Sequence, residues 1–265
     1  MNLRTLAEIW IYPIKSLGGI RLEHAFVQEK GLRYDRRMML VDESGMFLTQ
    51  RFHPQMALCK VALEQQHFTI THHNKFITLP LTPPLVPGNL EVKIWDDTVT
   101  ALEVGGPYSS WFSQALGISC KLVYFPETNP RPVDPDYKIH DEQVSLADAY
   151  PFLIIGQSSL DDLNSRLTIP LPMNRFRPNF VFTGGTPYEE DQWKYFSIGK
   201  VNFAGVKNCK RCVVTTIDQE TGEKGSEPLL ALSQYRKRDS KVIFGQNLVA
   251  LEGGEISVGD AIELK

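Results

Sequence analysis

The chain holds four cysteines, and two of them, Cys209 and Cys212, enclose Lys210 and Arg211, with Lys207 just upstream. Cations beside a thiol favour the thiolate, the form that binds soft metals and attacks electrophiles. Four readings of the pair compete. A structural zinc site needs about four ligands, and the chain has no second Cys-x-x-Cys and no spaced His pair to complete one. A thioredoxin-like redox pair would open a helix, whereas the following Val213–Ile217 is β-branched and reads as a strand. Burial as two small core residues sets Lys210 and Arg211 against the cost of burying charge. A single thiolate ligand beside an anion-binding loop is the fourth.

Other segments are composed for binding anions. Asn174-Arg175-Phe176-Arg177-Pro178-Asn179 sets two guanidiniums and two side-chain amides around a proline-fixed turn. Arginine offers paired planar donors to phosphate or carboxylate, and asparagine can bond a heterocycle edge. Tyr12-Pro13-Ile14-Lys15-Ser16 ends a strand in a turn with an ammonium and a hydroxyl, and Gly31–Arg37 carries Arg33, Arg36 and Arg37. Arg51 lies just after the next strand, and taken singly each of these basic clusters is more often surface charge. Asp148 lies between two alanines at the start of an apolar strand, a place where a carboxylate becomes partly buried and can act as a general acid or base. The six histidines show no metal spacing; His72 and His73 are neighbours that should point apart in a strand. Trp95, Trp111, Tyr124 and Phe125 read as core.

The elements that must position these residues are mostly strands. Short alternating runs occur at Glu8–Tyr12, Ile20–Gln28, Arg37–Val41, Val92–Trp95 and Thr98–Val104, with Asp96-Asp97 as a two-residue hairpin loop. A helix is expected over Pro107–Leu116, stopped by Gly117, and a strand over Cys120–Phe125. Pro126–Tyr137 contains four prolines and reads as a linker, giving domains of 1–125 and 126–265. Beyond it, strands are expected at Tyr150–Ile155, Asn179–Thr183, Lys200–Phe203, Val213–Ile217, Asn247–Leu251 and Ala261–Leu264. Helices are expected at Ser158–Leu167, capped by Ser158 and Asp161, and at Leu229–Arg236. The fold class is mainly β with a few helices (α+β), in a meander or barrel pattern.

With 265 residues, 42% hydrophobic and 22% charged, the chain can bury a full core in one large domain or two small ones. A net charge of −3 leaves no overall basic field for a nucleic-acid polymer or an anionic membrane. No apolar run is long enough to span a bilayer, and the N-terminus lacks the order of a signal peptide. Too few cysteines for a disulfide framework favour a reducing, cytoplasmic setting.

Taken in order, Tyr12–Ser16, Asp35-Arg36, Phe176–Asn179, Cys209–Cys212 and Phe244-Gly245-Gln246-Asn247 resemble the motifs of the MOSC family, the molybdenum cofactor sulfurase C-terminal domain, preceded by its N-terminal β-barrel domain. The resemblance is strongest to bacterial members and the mitochondrial amidoxime-reducing components, and it covers nearly the whole chain. It implies a MOSC β-barrel domain after an N-terminal β-barrel-like domain, with molybdenum cofactor in the cleft between them. It further implies Cys212 as thiolate ligand to molybdenum, Cys209 as support, and Asp148 as proton donor at the metal. Lys15, Ser16, Arg36, Arg177, Asn179, Lys210, Arg211 and Asn247 are then the residues expected to hold the pterin and its phosphate. Lys210 stands where relatives often carry Ser, Asn247 where the mitochondrial members have Tyr, and Ala149 and Tyr150 replace small hydroxyl residues. The implied activity is reduction of N-hydroxylated bases and amidoximes. Some relatives continue into a ferredoxin domain whose Cys-x4-Cys-x2-Cys spacing is absent here, so an external flavin or iron–sulfur protein is the expected electron donor. The alternative is a carrier or sulfur-transfer protein that holds the same cofactor without turnover.

Overall fold

The first strand spans Arg4–Ile11, and its side chains Leu6, Ile9 and Ile11 are fully buried. The computed structural model to which it belongs describes residues 3–265. This strand pairs with Phe180–Thr183 and Ala261–Leu264 from the far end of the chain, as well as with Ile20–Leu22. It is one stave of a closed barrel of 7 strands that continues through Tyr195–Ile198, Val201–Lys210, Lys241–Ala250 and Phe152–Gly156. Phe152 opposite Leu248 closes the ring and leaves no open edge. The N-terminal stave thus joins a barrel whose other six strands lie between residues 152 and 264.

Phe152–Gly156 and Phe180–Thr183 run parallel, joined by a crossover through the helix Gln157–Asn164, as parallel neighbours require. Phe152, Phe180, Phe196 and Phe203 fill the barrel with ring centroids 5.5–5.9 Å apart. The intervening chain forms a four-stranded sheet ordered Met38–Val41, Lys121–Tyr124, Asp97–Glu103, Leu90–Ile94, and a three-stranded meander of Lys60–Leu63, His67–His72 and Lys75–Pro80. Helix Tyr108–Leu116 buries Phe112 and Leu116 and stops at Gly117, whose φ of 68° a side chain would resist.

Several expectations need correction. Val213–Thr216 is a 3-10 helix, not a strand, because the Thr215 and Thr216 hydroxyls donate to the carbonyls of Cys212 and Val213. The hairpin loop is Trp95-Asp96, one residue earlier than expected, since Asp97 pairs with Ile94. Helix Gln157–Asn164 is preceded by Gly156 and has no side-chain cap; the Ser158 hydroxyl is buried without a partner. His73 has φ 51°, which turns its ring to 4.3 Å from that of His72. The strands ending at Lys210 and Ala250 are each 10 residues long, because they lace together through two bulges. Among the described residues, no helix is long and apolar enough to cross a membrane.

Candidate functional site

Loops from both halves of the chain meet around a cavity of about 350 Å³. Its lining includes every site residue expected from sequence: Lys15, Ser16, Arg36, Asp148, Arg177, Asn179, Lys210, Arg211, Cys212 and Asn247. Arg51, Arg175 and Lys207 line it as well, so eight basic side chains face two acidic ones, Asp134 and Asp148. A chain of net charge −3 thus concentrates positive charge in one concave place, where low-dielectric walls strengthen its field.

At one end is the Cys212 sulfur, which accepts a hydrogen bond of 3.1 Å from Arg51 Nη2. The same nitrogen stands 3.8 Å from Asp148 Oδ2, and the guanidinium lies 4.0 Å over the Trp95 ring. Trp95 occupies a left-handed backbone position, φ 56°, at the tip of its hairpin and packs edge-on against Phe47. Neither Arg51 nor Trp95 was identifiable as a site residue by motif. Sequence offered no local signal for either, because Trp95 reads as the end of a strand; the structure shows a bulky aromatic in a two-residue hairpin loop, a costly placement that marks a constrained position.

Lys15 is buried and points its ammonium at Asp148 Oδ1, 2.5 Å away, and at the carbonyl of Leu146, 2.9 Å away. Burial pushes its pKa down to about 8 despite the carboxylate. Asp148 sits in the crowded cavity wall with its side chain 60% open to the cavity, and Lys15 and then Arg51 hold it well below the usual carboxylate range against the opposing effect of burial. Asp148 is therefore a carboxylate at neutral pH, and the proton of the pair resides on Lys15 Nζ.

A second group of site residues is built around Asp35, which is fully buried. It accepts from Tyr12 N at 2.7 Å, Arg36 Nη1 at 2.6 Å and Asn179 Nδ2 at 3.1 Å. Arg36 also reaches Asn179 Oδ1 and the carbonyl of Arg177. The Tyr12 ring is held between the guanidiniums of Arg36 and Arg177, each 4.2 Å from its centroid. Desolvation pushes Tyr12 up to about 12 and Arg177 down to about 10. Ser16, Arg36 and Arg177 have φ of 68°, 50° and 54°, so three lining residues share the strained left-handed region.

The strand ending at Lys210 contributes Lys207 to Lys210 to the lining. Arg211 Nη1 donates to Cys209 Sγ at 2.9 Å and Nη2 to the carbonyl of Phe176 at 2.6 Å, while its Nε is buried without a partner. Asn247 lies on the neighbouring strand, opposite Lys207 and Leu153. Arg175 is anchored to Asp218 at 2.8 Å. Among the described residues no three His, Cys, Asp or Glu side chains gather to hold a metal, so Cys209 and Cys212 lack the partners that a zinc site would require. The arrangement offers two arginine-bonded sulfurs, Cys209 and Cys212, a lysine–carboxylate pair linked to the latter through Arg51, and basic and amide donors for an extended anion.

Comparison with known proteins matches residues 3–119 to the MOSC N-terminal beta barrel domain and residues 141–263 to the MOSC domain. The chain is 36% identical to mitochondrial amidoxime-reducing component 1 of Mus musculus, over 98% of this chain and 82% of that protein. It is 32% identical to its Homo sapiens counterpart over the same shares. It is also 29% identical to molybdenum cofactor sulfurase of Oryza sativa subsp. japonica, over 91% of this chain and 32% of that protein.

Proposed function

The chain belongs to the MOSC family, with a MOSC N-terminal beta barrel domain ahead of a MOSC domain, and from that premise we propose that it is a molybdenum-cofactor-dependent reductase of N-hydroxylated compounds. The observation that carries this reading is the Cys212 sulfur, bonded by Arg51 and set among cations in a cavity that Cys209 also lines, together with guanidinium and amide donors. The donor set fits a pterin phosphate with one protein–metal bond: a soft sulfur at one end, hard-anion donors along the cavity, and an unpartnered Arg211 Nε in its wall. Cys212 would bind the metal. Lys15, Ser16, Arg36, Arg177, Asn179, Lys210, Arg211 and Asn247 would hold the pterin and its phosphate. When bound, the cofactor supplies a two-electron redox centre.

The chain supplies orientation and protons. Reduction of a hydroxylamine or amidoxime consumes two electrons and two protons, cleaves the N–O bond, and yields amine or amidine plus water. Lys15 Nζ holds a proton near neutrality, and the Asp148 carboxylate, bonded to it and open to the cavity, would accept that proton and hand it to the leaving oxygen of a bound substrate. Arg51 holds Cys212 and Asp148 in register, braced on Trp95. An external flavin or iron–sulfur protein delivers the electrons.

The test is reduction of benzamidoxime with reduced methyl viologen by protein made in a cofactor-competent host. Wild type turns over, and Asp148→Asn loses turnover while retaining molybdenum. Unchanged turnover in Asp148→Asn removes that residue from the mechanism. Molybdenum-loaded wild type that turns over no N-hydroxylated substrate supports the carrier or sulfur-transfer reading, which the similarity to the Oryza sativa sulfurase keeps in play.

A further inference from the structure

The segment Arg236–Lys241 forms a two-residue hairpin outside the cavity lining, with Arg238 directly opposite Lys241 and the turn at Asp239 and Ser240, φ 46° and 63°. Lys237, Arg238 and Lys241 are exposed, and so is Lys210 at the cavity lip. Lys210, Lys237 and Lys241 have no ion-pair partner among the described residues; Arg238 approaches Asp191 to 3.6 Å yet stays 59% exposed. Like charges facing each other across a hairpin destabilise it. Setting Arg238 opposite Lys241 costs the fold side-chain repulsion, which an external carboxylate placed over the pair would relieve.

The hairpin is attached to the thiol-bearing loop. Lys210 pairs with Ile243, Arg211 N donates to the carbonyl of Val242 at 2.8 Å, and Arg238 Nη1 donates to Asn208 of the cavity lining at 3.2 Å. Val213, the residue after Cys212, is 50% exposed, and Leu230 on the helix packed against that turn is 55% exposed. Exposed apolar residues beside a cationic rim, at the sulfur end of the cavity, have the make-up of a protein-docking face. Resting on the reductase reading, we propose that Lys237, Arg238 and Lys241 dock an acidic electron-transfer protein, with Val213 and Leu230 against its apolar centre. Asp239 is the only carboxylate in the hairpin. A polyanion or anionic bilayer fits less well, because beyond this patch it would meet a chain of net negative charge.

The test is Lys237→Glu with Lys241→Glu in the holoenzyme; neither residue lines the cavity, and a glutamate at 241 faces Arg238 favourably. Electrons are supplied either by reduced methyl viologen or by an acidic [2Fe–2S] ferredoxin. The expected result is unchanged turnover with viologen and a KM for ferredoxin raised about tenfold or more at low ionic strength, the difference shrinking as salt is added. Anisotropy of labelled ferredoxin titrated with cofactor-free protein should show a matching loss of affinity. Equal KM and equal anisotropy in wild type and variant overturn the docking face, as does a variant that loses binding to phosphatidylglycerol vesicles but not to ferredoxin. Absence of viologen turnover in molybdenum-loaded wild type is a different failure, that of the reductase reading itself.

Discussion

Replacing Asp35 with Ala should destabilise the protein by about 3–5 kcal/mol, although Asp35 does not line the cavity. Its carboxylate is fully buried and receives the Tyr12 amide at 2.7 Å and the Arg36 guanidinium at 2.6 Å. Removal leaves the Tyr12 N–H without its acceptor, costing about 1–3 kcal/mol. It also leaves a largely buried guanidinium without its carboxylate, next to the Arg177 guanidinium on the other face of Tyr12. Arg36 keeps only Asn179 Oδ1 and the carbonyl of Arg177, neither of which neutralises it. At about 2–4 °C per kcal/mol for a chain of this size, the melting midpoint falls by roughly 6–20 °C. The assay is thermal and urea unfolding of cofactor-free protein by circular dichroism, with Arg36→Ala and the double variant completing a cycle. The double variant should lose about 2 kcal/mol less than the sum of the singles, because the stranded cation is gone. A loss below about 1 kcal/mol for Asp35→Ala, or strict additivity, would refute the view that this carboxylate organises the arginine wall.

Glu190 is fully buried, and burial pushes its pKa up to about 7 from 4.5, against hydrogen bonds from Gly156 N and the Ser159 hydroxyl. The folded state therefore holds this proton longer than the unfolded chain, so its contribution weakens as pH rises from about 4.5 through about 7. Glu190→Gln should flatten that slope and raise the melting midpoint at pH 8; profiles parallel to wild type would contradict the assignment. Lys15, with its pKa near 8, should make pyrophosphate binding to the cofactor-free protein weaken as pH climbs through that value. Lys15→Met should bind more weakly and show no such step; a retained step would assign it to another group.

Much of the fold was legible because short alternating runs and turn residues are local signals. The helix at Tyr108–Leu116 and the strand at Ala261–Leu264 lie where apolar spacing put them. The barrel stave Arg4–Ile11 was legible as a strand but not in its partners, since nothing local encodes pairing with residues 180 and 261. Val213–Thr216 misled because β-branching favours a strand until threonine hydroxyls find carbonyls three residues back. Of the site, motif spacing led to the sulfur and the anion donors, now seen in one cavity. Arg51 and Trp95 escaped because their importance lies in contacts between residues far apart in the chain: Arg51 with Cys212 and Asp148, and Trp95 under the Arg51 guanidinium.

The central claim is that this cavity holds molybdenum cofactor through Cys212. Its most direct test is molybdenum content by elemental analysis of wild type, Cys212→Ser and Cys209→Ser, all made in a host that synthesises the cofactor. About one molybdenum per wild-type chain, lost in Cys212→Ser and largely kept in Cys209→Ser, is the predicted result. Folded wild-type protein without molybdenum, or equal loss in both cysteine variants, would contradict it.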